Sequence, residues 1–255
     1  MVFYKTFIGQ TGCDIVLPLK NDKKKLIIIC PGLPSDPFNY DLLDFLSNEG
    51  FSCVYVRYSG TWGSYGSFLK NSPVKDIENI LDFVLKERSF IDSSNNQKVK
   101  LNFKKIILIG TSFGGSVCLV SGAKSLNVNK IIALSPIVNY RDHARNPDYP
   151  EEKIDNLGNY LKRAYGKSYN FSSNDWKKFV EGKLDINPDD YVHELSKKEI
   201  ILLSGVKDKS ISIDRLKNFF NNLHSKKKKH YIFKDSGHLS LKKLDKNILI
   251  EILGQ

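Results

Sequence analysis

The sequence has few features that would place the protein in a membrane or outside the cell. No stretch approaches the roughly 18 consecutive apolar residues that a transmembrane helix requires. The first residues, MVFYKTF, lack the basic region, the apolar run and the small-residue cleavage site of a secretion signal. We therefore expect a soluble, cytoplasmic protein with no membrane span.

Cysteine is scarce, with four residues among 255. Cys13, Cys30, Cys53 and Cys118 are widely spaced and form no C-x-x-C pair. Three of them lie inside apolar runs, where a free thiol behaves as a small hydrophobic side chain. We therefore expect neither a disulfide framework nor a zinc site, and the sequence predicts no metal and no cofactor.

Acidic residues are outnumbered, because 28 Asp and Glu stand against 39 Lys and Arg and leave a formal net charge of +11. Such an excess attracts anions without specificity. The lysines are scattered, and the one dense run, SKKKKH at 225–230, is expected to be a solvated turn before a strand. Because no recognition motif accompanies the charge, nucleic acid is not expected as a partner.

Apolar runs and helix-like segments alternate along the chain, without internal repeats and without a dividing linker. Residues 1–20 are typical of two short strands. Further strands are predicted at 26–30, 53–58, 106–109, 131–134, 200–203 and 231–233, and helices at 40–47, 73–87, 112–125, 212–223 and 239–253. Apolar strands alternating with helices indicate one domain, 1–255, with a mostly parallel sheet and helices on both faces.

Two segments interrupt this alternation. Residues 92–102, DSSNNQKVKLN, are polar and turn-rich and are predicted to be a surface loop. Residues 139–193 are helix-like in parts and contain nine aromatic residues. An insertion of this length between adjacent strands is more than a connection needs, so we expect a small cap over one edge of the sheet. Most of its aromatics are expected to bury the underside of that cap.

Ligands bind at the carboxyl ends of the strands in an open parallel sheet. Ser112 follows the strand predicted at 106–109, Asp208 follows 200–203, and His238 follows 231–233. A serine hydroxyl needs a base to become a nucleophile, and a carboxylate orients the histidine and stabilises its charged form. The three residues therefore predict a site for nucleophilic acyl transfer.

The stretch GTSFGG at 110–115 gives the serine its setting. Glycines two positions before and two after a residue in a sharp strand-to-helix turn leave room for that residue's side chain to project. GTSFG matches the G-x-S-x-G nucleophile elbow, and the order Ser, Asp, His completes a resemblance to the α/β-hydrolase superfamily. The resemblance covers nearly the whole chain apart from the cap, and implies Ser112 as nucleophile, His238 as base and Asp208 as acid.

Other residues compete for two of these roles. His238 alone follows the last strand, in a DSGH turn, whereas the other histidines lie in or beside the insertion, at a helix end or at a strand start: His143, His193, His224 and His230. Asp235 is too near His238 in sequence to be its partner, and we expect it at the surface or in the turn.

The resemblance also implies two backbone N–H donors for the oxyanion of the tetrahedral intermediate. They belong to Phe113, which follows the nucleophile, and to Leu33, in the loop after the strand at 26–30. Many relatives have His-Gly where this chain has Pro31-Gly32. Pro34 removes a further N–H and favours an extended Leu33, but Leu33 keeps its own donor.

The loop RYSGTWGSYGSF at 57–68 resembles the glycine-rich segment of esterase-like and prolyl-oligopeptidase-like members. The resemblance brings Trp62 and Tyr65 near the site, where they could line a substrate pocket or pack against the elbow. The loop has neither the Lys-Ser/Thr of a phosphate loop nor the G-x-G-x-x-G spacing of a dinucleotide site, so a nucleotide is not expected.

Together these features predict a serine hydrolase that acts on a small-molecule acyl substrate, in the first place a carboxylesterase for small to medium acyl chains. Thioesterases, acyltransferases and peptidases use the same triad, and a binding scaffold without turnover is the alternative from another class. Because the histidine must be neutral to act as base, hydrolysis is expected to rise with pH through the range in which a free imidazole titrates, about 6.5.

Overall fold

The computed structural model describes residues 2–20, 24–35 and 39–254 of the chain. The strands in these ranges are β1 (Val2–Ile8), β2 (Thr11–Leu17), β3 (Lys25–Cys30), β4 (Ser52–Arg57), β5 (Ser89–Ile91), β6 (Lys98–Lys100), β7 (Lys105–Thr111), β8 (Val128–Leu134), β9 (Glu199–Gly205) and β10 (Lys228–Phe233). The α-helices are α1 (Tyr40–Asn48), α2 (Val74–Lys86), α3 (Phe113–Lys124), α4 (Leu157–Tyr165), α5 (Ser173–Val180), α6 (Val192–Leu195), α7 (Ile213–Asn222) and α8 (Lys246–Gly254).

Eight of these strands form one sheet in the order β1-β2-β4-β3-β7-β8-β9-β10. β1 pairs antiparallel with β2, and β2 antiparallel with β4. Every pair from β4 across to β10 is parallel. The predicted mostly parallel sheet is confirmed. Its parallel part contains β7, β9 and β10, the strands that precede Ser112, Asp208 and His238.

Helices cover both faces of this sheet, as predicted. Alternate residues of a strand point to opposite faces, and along β3 Ile28 joins the core under α2, α3 and α7, while Ile27 and Ile29 join the core under α1 and α8. A strand buried on both faces has to be apolar throughout, which is why the strand runs were visible in the sequence. Within the described ranges, no helix is long and apolar enough to cross a membrane.

Helix α3 is buried along its whole length except at its last residue, Lys124. Small residues let it approach the sheet closely: a side chain at Gly122 would collide with Ile131 of β8. This tight seat on β7 and β8 fixes the N-terminal end of α3, and with it the position of Ser112, against the sheet.

Three predicted boundaries were wrong. The surface loop predicted at 92–102 contains β6, which pairs with β5 outside the main sheet. The helix predicted at 239–253 is only α8 after a 3-10 turn at Leu241–Lys243, because the Asp245 carboxylate accepts the N–H groups of Asn247 and Ile248 and caps the helix there. The lysine-rich turn at 225–230 ends early, because β10 begins at Lys228.

The segment between β8 and β9 holds α4, α5, α6 and two 3-10 turns. Each of these helices adds an apolar side chain to the core shared with α3: Leu161, Phe179 and Leu195. Five of the nine aromatics at 139–193 are buried: Tyr140, Tyr169, Phe171, Trp176 and Phe179. The segment between β8 and β9 therefore packs against α3 and shares its hydrophobic core.

A buried ion cluster ties this segment to α7. Arg215 of α7 donates from Nε to both carboxylate oxygens of Glu151, at 2.9 and 3.1 Å, and from an Nη to Asp142 at 2.7 Å. The His143 Nδ1 lies 3.1 Å from Glu151 Oε2. The Arg215 side chain is 5% exposed and the Glu151 side chain 0%. Their attraction therefore offsets the cost of removing both charges from water.

Replacing Arg215 with Met should destabilise the fold strongly. The change keeps most of the side-chain volume but leaves the Glu151 carboxylate buried without its cation, which typically costs about 3–5 kcal/mol. Urea unfolding measures the loss. Lys217→Met on the same helix is the matched control, because Lys217 is half exposed and should change the unfolding free energy by less than about 0.5 kcal/mol. Equal effects of the two changes would contradict the role given to the cluster.

The same cluster predicts how stability depends on acid. Burial would raise the pKa of Glu151, but His143 and Arg215 outweigh it and lower the pKa from 4.5 to about 2. Its stabilising contribution is therefore complete above about pH 4.5 and is lost as the pH falls towards 2. Unfolding free energies at pH 5, 4 and 3 should decline more steeply for the wild type than for Glu151→Gln, with a difference of roughly 2 kcal/mol between pH 5 and pH 3. Parallel declines would refute this assignment.

Candidate active site

Ser112 forms the turn between β7 and α3. Its backbone has φ 53° and ψ −121°, a conformation that side-chain-bearing residues rarely adopt and that costs about 1–3 kcal/mol. The Ser112 N–H donates to the Leu134 carbonyl at the end of β8, at 2.8 Å. The neighbouring strand thus holds the serine in its strained turn.

The glycines around Ser112 are required by close contacts. A side chain at Gly114 would collide with the carbonyl oxygens of Cys30 and Pro31, and one at Gly110 would collide with the Gly114 carbonyl. A side chain at Gly32 would lie 3.0 Å from the Thr111 carbonyl oxygen and 3.6 Å from the Ser112 Cβ. The loop after β3 therefore runs directly beside the serine.

Asp208 and His238 meet at the same edge of the sheet. His238 Nδ1 lies 2.9 Å from Asp208 Oδ2. The other carboxylate oxygen of Asp208 accepts the N–H groups of Ser210 and Ile211, at 2.9 and 3.0 Å. The Asp208 side chain is 1% exposed and that of His238 36%, so the carboxylate is enclosed while the ring reaches the surface of the site.

The loops that carry these two residues are held together by the backbone. Lys207 N–H donates to the Ser236 carbonyl at 2.9 Å, and any side chain at Gly205 would collide with the carbonyls of Ser236 and Gly237. The Ser135 hydroxyl, at the end of β8, accepts the Leu239 N–H at 3.3 Å. The end of β8 thereby supports the loop on the far side of His238.

The surroundings of Asp208 keep it ionised. Burial would raise its pKa, but the hydrogen bond and charge of His238 and the Ile211 N–H outweigh burial and hold the pKa below its usual range. A charged carboxylate at Nδ1 fixes the ring tautomer and stabilises a protonated imidazole. The pair is thus suited to accept a proton at the other ring nitrogen.

Ser112 and His238 line one cavity of about 240 Å³. The described residues around it come from the ends of β3 and β4, the loop after β3, the serine turn and the turn after β10. Apolar side chains make up much of the lining: Ile29, Pro31, Leu33, Pro34 and Leu241. In the described part of the chain, no residue from 139–193 belongs to this lining, and no cluster of His, Cys, Asp or Glu is arranged to hold a metal.

Both predicted oxyanion donors belong to residues close to Ser112. Leu33 lines the cavity with Ser112. Phe113 is the first residue of α3, so its N–H has no acceptor within the helix. Its ring is buried against Tyr58, Phe68 and Phe179, which leaves the backbone as the part available to the site.

Trp62 and Tyr65 do not line this cavity. Trp62 packs edge-on against Tyr165 and Tyr169, and its indole N–H donates to the Ser35 hydroxyl at 2.7 Å. Tyr65 is 61% exposed and lies against Phe7 of β1. The glycine-rich loop turns Trp62 toward the loop after β3 and Tyr65 away from the serine.

The other histidines and Asp235 lie apart from the serine. His230 lies 2.7 Å from the Ser204 hydroxyl, and burial lowers its pKa to about 4. His143 belongs to the Arg215 cluster, and His193 and His224 are at the surface. Asp235 is 92% exposed and pairs with Lys207.

Sequence reasoning missed several residues that shape the site: Ser35, Tyr58, Ser135 and Tyr169. Ser135 directly follows β8, so the rule that pointed to the other strand ends could have found it. Tyr58 also follows its strand, and its hydroxyl donates to the Pro31 carbonyl at 3.2 Å. No local pattern links Tyr169 to Ser35, because 134 positions separate them.

No protein-family model and no curated protein sequence matches the chain. Solved structures with a similar fold include Est1E from Butyrivibrio proteoclasticus, at a TM-score of 0.66 and 15% identity over 99% of this chain and 100% of that one. The Pyrococcus furiosus esterase Pf2001 has a TM-score of 0.69 and 15% identity, over 99% and 89%. The α/β hydrolase GrgF from Penicillium sp. sh18 has a TM-score of 0.71 and 17% identity, over 99% and 96%. Together with the sheet order and the turn at Ser112, these likenesses show that the chain has the α/β-hydrolase fold.

Proposed function

We propose that the chain is a serine hydrolase that cleaves carboxylic esters of small to medium acyl chains. The observation that supports this best is the 2.9 Å bond between His238 Nδ1 and a buried Asp208, beside a cavity lined by both His238 and the strained Ser112. The presence of esterases among the similar folds agrees with the proposal.

In the proposed reaction, His238 Nε2 takes the hydroxyl proton of Ser112 as the serine oxygen attacks the ester carbonyl carbon. The carbonyl oxygen becomes an oxyanion that accepts the N–H groups of Leu33 and Phe113. When the intermediate collapses, His238 returns the proton to the departing alcohol. Water then attacks the acyl-enzyme with His238 again as base, and the acid leaves with Ser112 restored.

The cavity supports the choice of acyl group. About 240 Å³ with a mainly apolar lining suits a short or medium chain. Residues 139–193 are proposed to act as a cap, but the described lining lies outside them, so the acyl chain is expected to contact the loop after β3 and the Leu241 turn. Specificity should therefore depend on Leu33 and Leu241 more than on the cap aromatics.

A fluorophosphonate probe should label the wild type once, at Ser112. Ser112→Ala should abolish labelling and reduce ester hydrolysis by at least about 10⁴-fold, because the change removes the proposed nucleophile. Mass spectrometry of the labelled peptide and chromogenic ester assays measure both effects. Ser125→Ala, at the other end of α3, is the matched control and should behave as the wild type.

An unlabelled but folded wild type would contradict the proposal and favour a binding scaffold. For a labelled protein, p-nitrophenyl esters from acetate to decanoate, with a thioester and an anilide of the best acyl group, test the reaction type. The proposal expects the highest kcat/KM for an ester of short or medium chain. A preference for the anilide would indicate a peptidase instead of an esterase, and a preference for the thioester would indicate a thioesterase.

Asp208→Asn should lower kcat by roughly 10³–10⁴-fold with little change in KM, because an amide N–H facing Nδ1 fixes the histidine tautomer that cannot accept the serine proton. Asp235→Asn makes the same chemical change on an exposed residue three positions before His238, and should keep full activity. Steady-state kinetics of the two variants measure the difference. Equal kcat values would show that Asp208 is not the acid of the triad.

A further inference from the structure

Ser35, in the loop after β3, is held by two aromatic side chains. The Tyr169 hydroxyl accepts the Ser35 N–H at 2.7 Å and lies 2.8 Å from the Ser35 hydroxyl. The Trp62 indole N–H donates to the same serine oxygen at 2.7 Å. Ser35 and Tyr169 are both buried, so these bonds are shielded from water. We call Ser35, Trp62 and Tyr169 the Ser35 clamp.

The two aromatic members are fixed by the backbone that carries them. Trp62 N–H donates to the Ser168 carbonyl at 2.9 Å, and Asn170 N–H donates to the Gly60 carbonyl at 2.8 Å. Thr61 and Tyr169 form an isolated antiparallel bridge between these bonds. The two segments form one short ladder of backbone hydrogen bonds. This ladder fixes the backbone of Tyr169 relative to Ser35.

Ser35 lies two residues after the proposed oxyanion donor Leu33, so the Ser35 clamp holds the chain next to that donor. Pro34, between them, has no N–H and adds no donor to hold the loop. The start of the loop is held by the Tyr58 hydroxyl, which donates to the Pro31 carbonyl, and by the close approach of Gly32 to Thr111. Leu33 therefore lies between two anchored points, one on each side.

We infer that Tyr169 and Trp62 are positioning residues for oxyanion stabilisation, which act through Ser35 to hold the Leu33 N–H toward Ser112. This inference rests on the proposed hydrolase function. It gives the segment after β8 a role in the chemistry although its described residues do not line the cavity. Neither aromatic is a catalytic residue, because each contacts Ser35 and not the reacting atoms.

The physical reason is that an oxyanion donor contributes only when its N–H is held in the correct place. Removing such a donor entirely costs about 10²–10³ in kcat, and displacing it costs part of that. Because the oxyanion forms only in the transition state, loosening the donor should change kcat and leave KM nearly unchanged. Damage to substrate binding would raise KM instead.

The test compares Tyr169→Phe with the wild type. The change leaves the ring in place but removes the acceptor of the Ser35 N–H, and kcat should fall about tenfold while KM changes less than about twofold. Binding of butylboronic acid, which forms a tetrahedral adduct with an active serine, should weaken by a similar factor. Rates are expressed per fluorophosphonate-labelled site, so that inactive protein does not count.

Tyr160→Phe is the matched control. It removes a hydroxyl from the same segment, and Tyr160 is 42% exposed with its ring against Tyr165. Its kcat and boronate affinity should equal those of the wild type. Trp62→Phe combined with Tyr169→Phe should cost less than the product of the single effects, because both residues act through Ser35. If Tyr169→Phe does not fold, Ser35→Ala removes the shared hydroxyl without touching an aromatic.

The outcomes separate this inference from the function on which it rests. If the wild type and Tyr160→Phe hydrolyse esters while Tyr169→Phe and Ser35→Ala keep wild-type kcat and boronate affinity, the clamp has no positioning role and the hydrolase proposal stands. A rise in KM at unchanged kcat would also overturn the inference. If the wild type neither labels nor hydrolyses esters, the function fails and the inference fails with it.

Discussion

The close approach of α3 to the end of β3 is the constraint on which the rest of the site depends. Gly114 lies so near the carbonyls of Cys30 and Pro31 that no side chain fits there. This contact forces the chain to turn sharply after β7 and leaves Ser112 in a strained conformation with φ 53°. The same contact brings the loop after β3, with its Leu33 N–H, to the side of the serine. One steric requirement therefore positions both the proposed nucleophile and one proposed oxyanion donor.

The parallel sheet supplies the remaining groups by bringing strand ends to one edge. Asp208 follows β9 and His238 follows β10. They meet because Gly205 has no side chain, so the backbones of the two loops come into direct contact. A buried carboxylate held by two N–H groups then orients the histidine. Tyr169 reaches the loop after β3 from the segment between β8 and β9, so a part of the chain outside the cavity becomes coupled to it through Ser35.

A structural feature could be predicted from the sequence when residues close together in the chain cause it. The turn at Ser112 and the apolar strands depend on neighbouring residues, so their patterns were readable. The β5–β6 hairpin was missed because its second strand is short, polar and paired outside the main sheet. For Trp62 the sequence left a substrate pocket and packing against the elbow both open, because a resemblance implies proximity but not the direction of a side chain. The bond between Tyr169 and Ser35 joins distant parts of the chain, and no local pattern encodes it.

The roles proposed for Ser112, Leu33 and Phe113 are tested most directly by a crystal structure of the protein after reaction with a small alkyl fluorophosphonate. We expect a phosphorus bonded to the Ser112 oxygen, with one phosphoryl oxygen about 2.7–3.1 Å from the backbone nitrogens of both Leu33 and Phe113. His238 should remain bonded to Asp208 through Nδ1. An adduct on another residue would contradict Ser112 as the nucleophile, and a phosphoryl oxygen directed away from both nitrogens would contradict the proposed oxyanion donors.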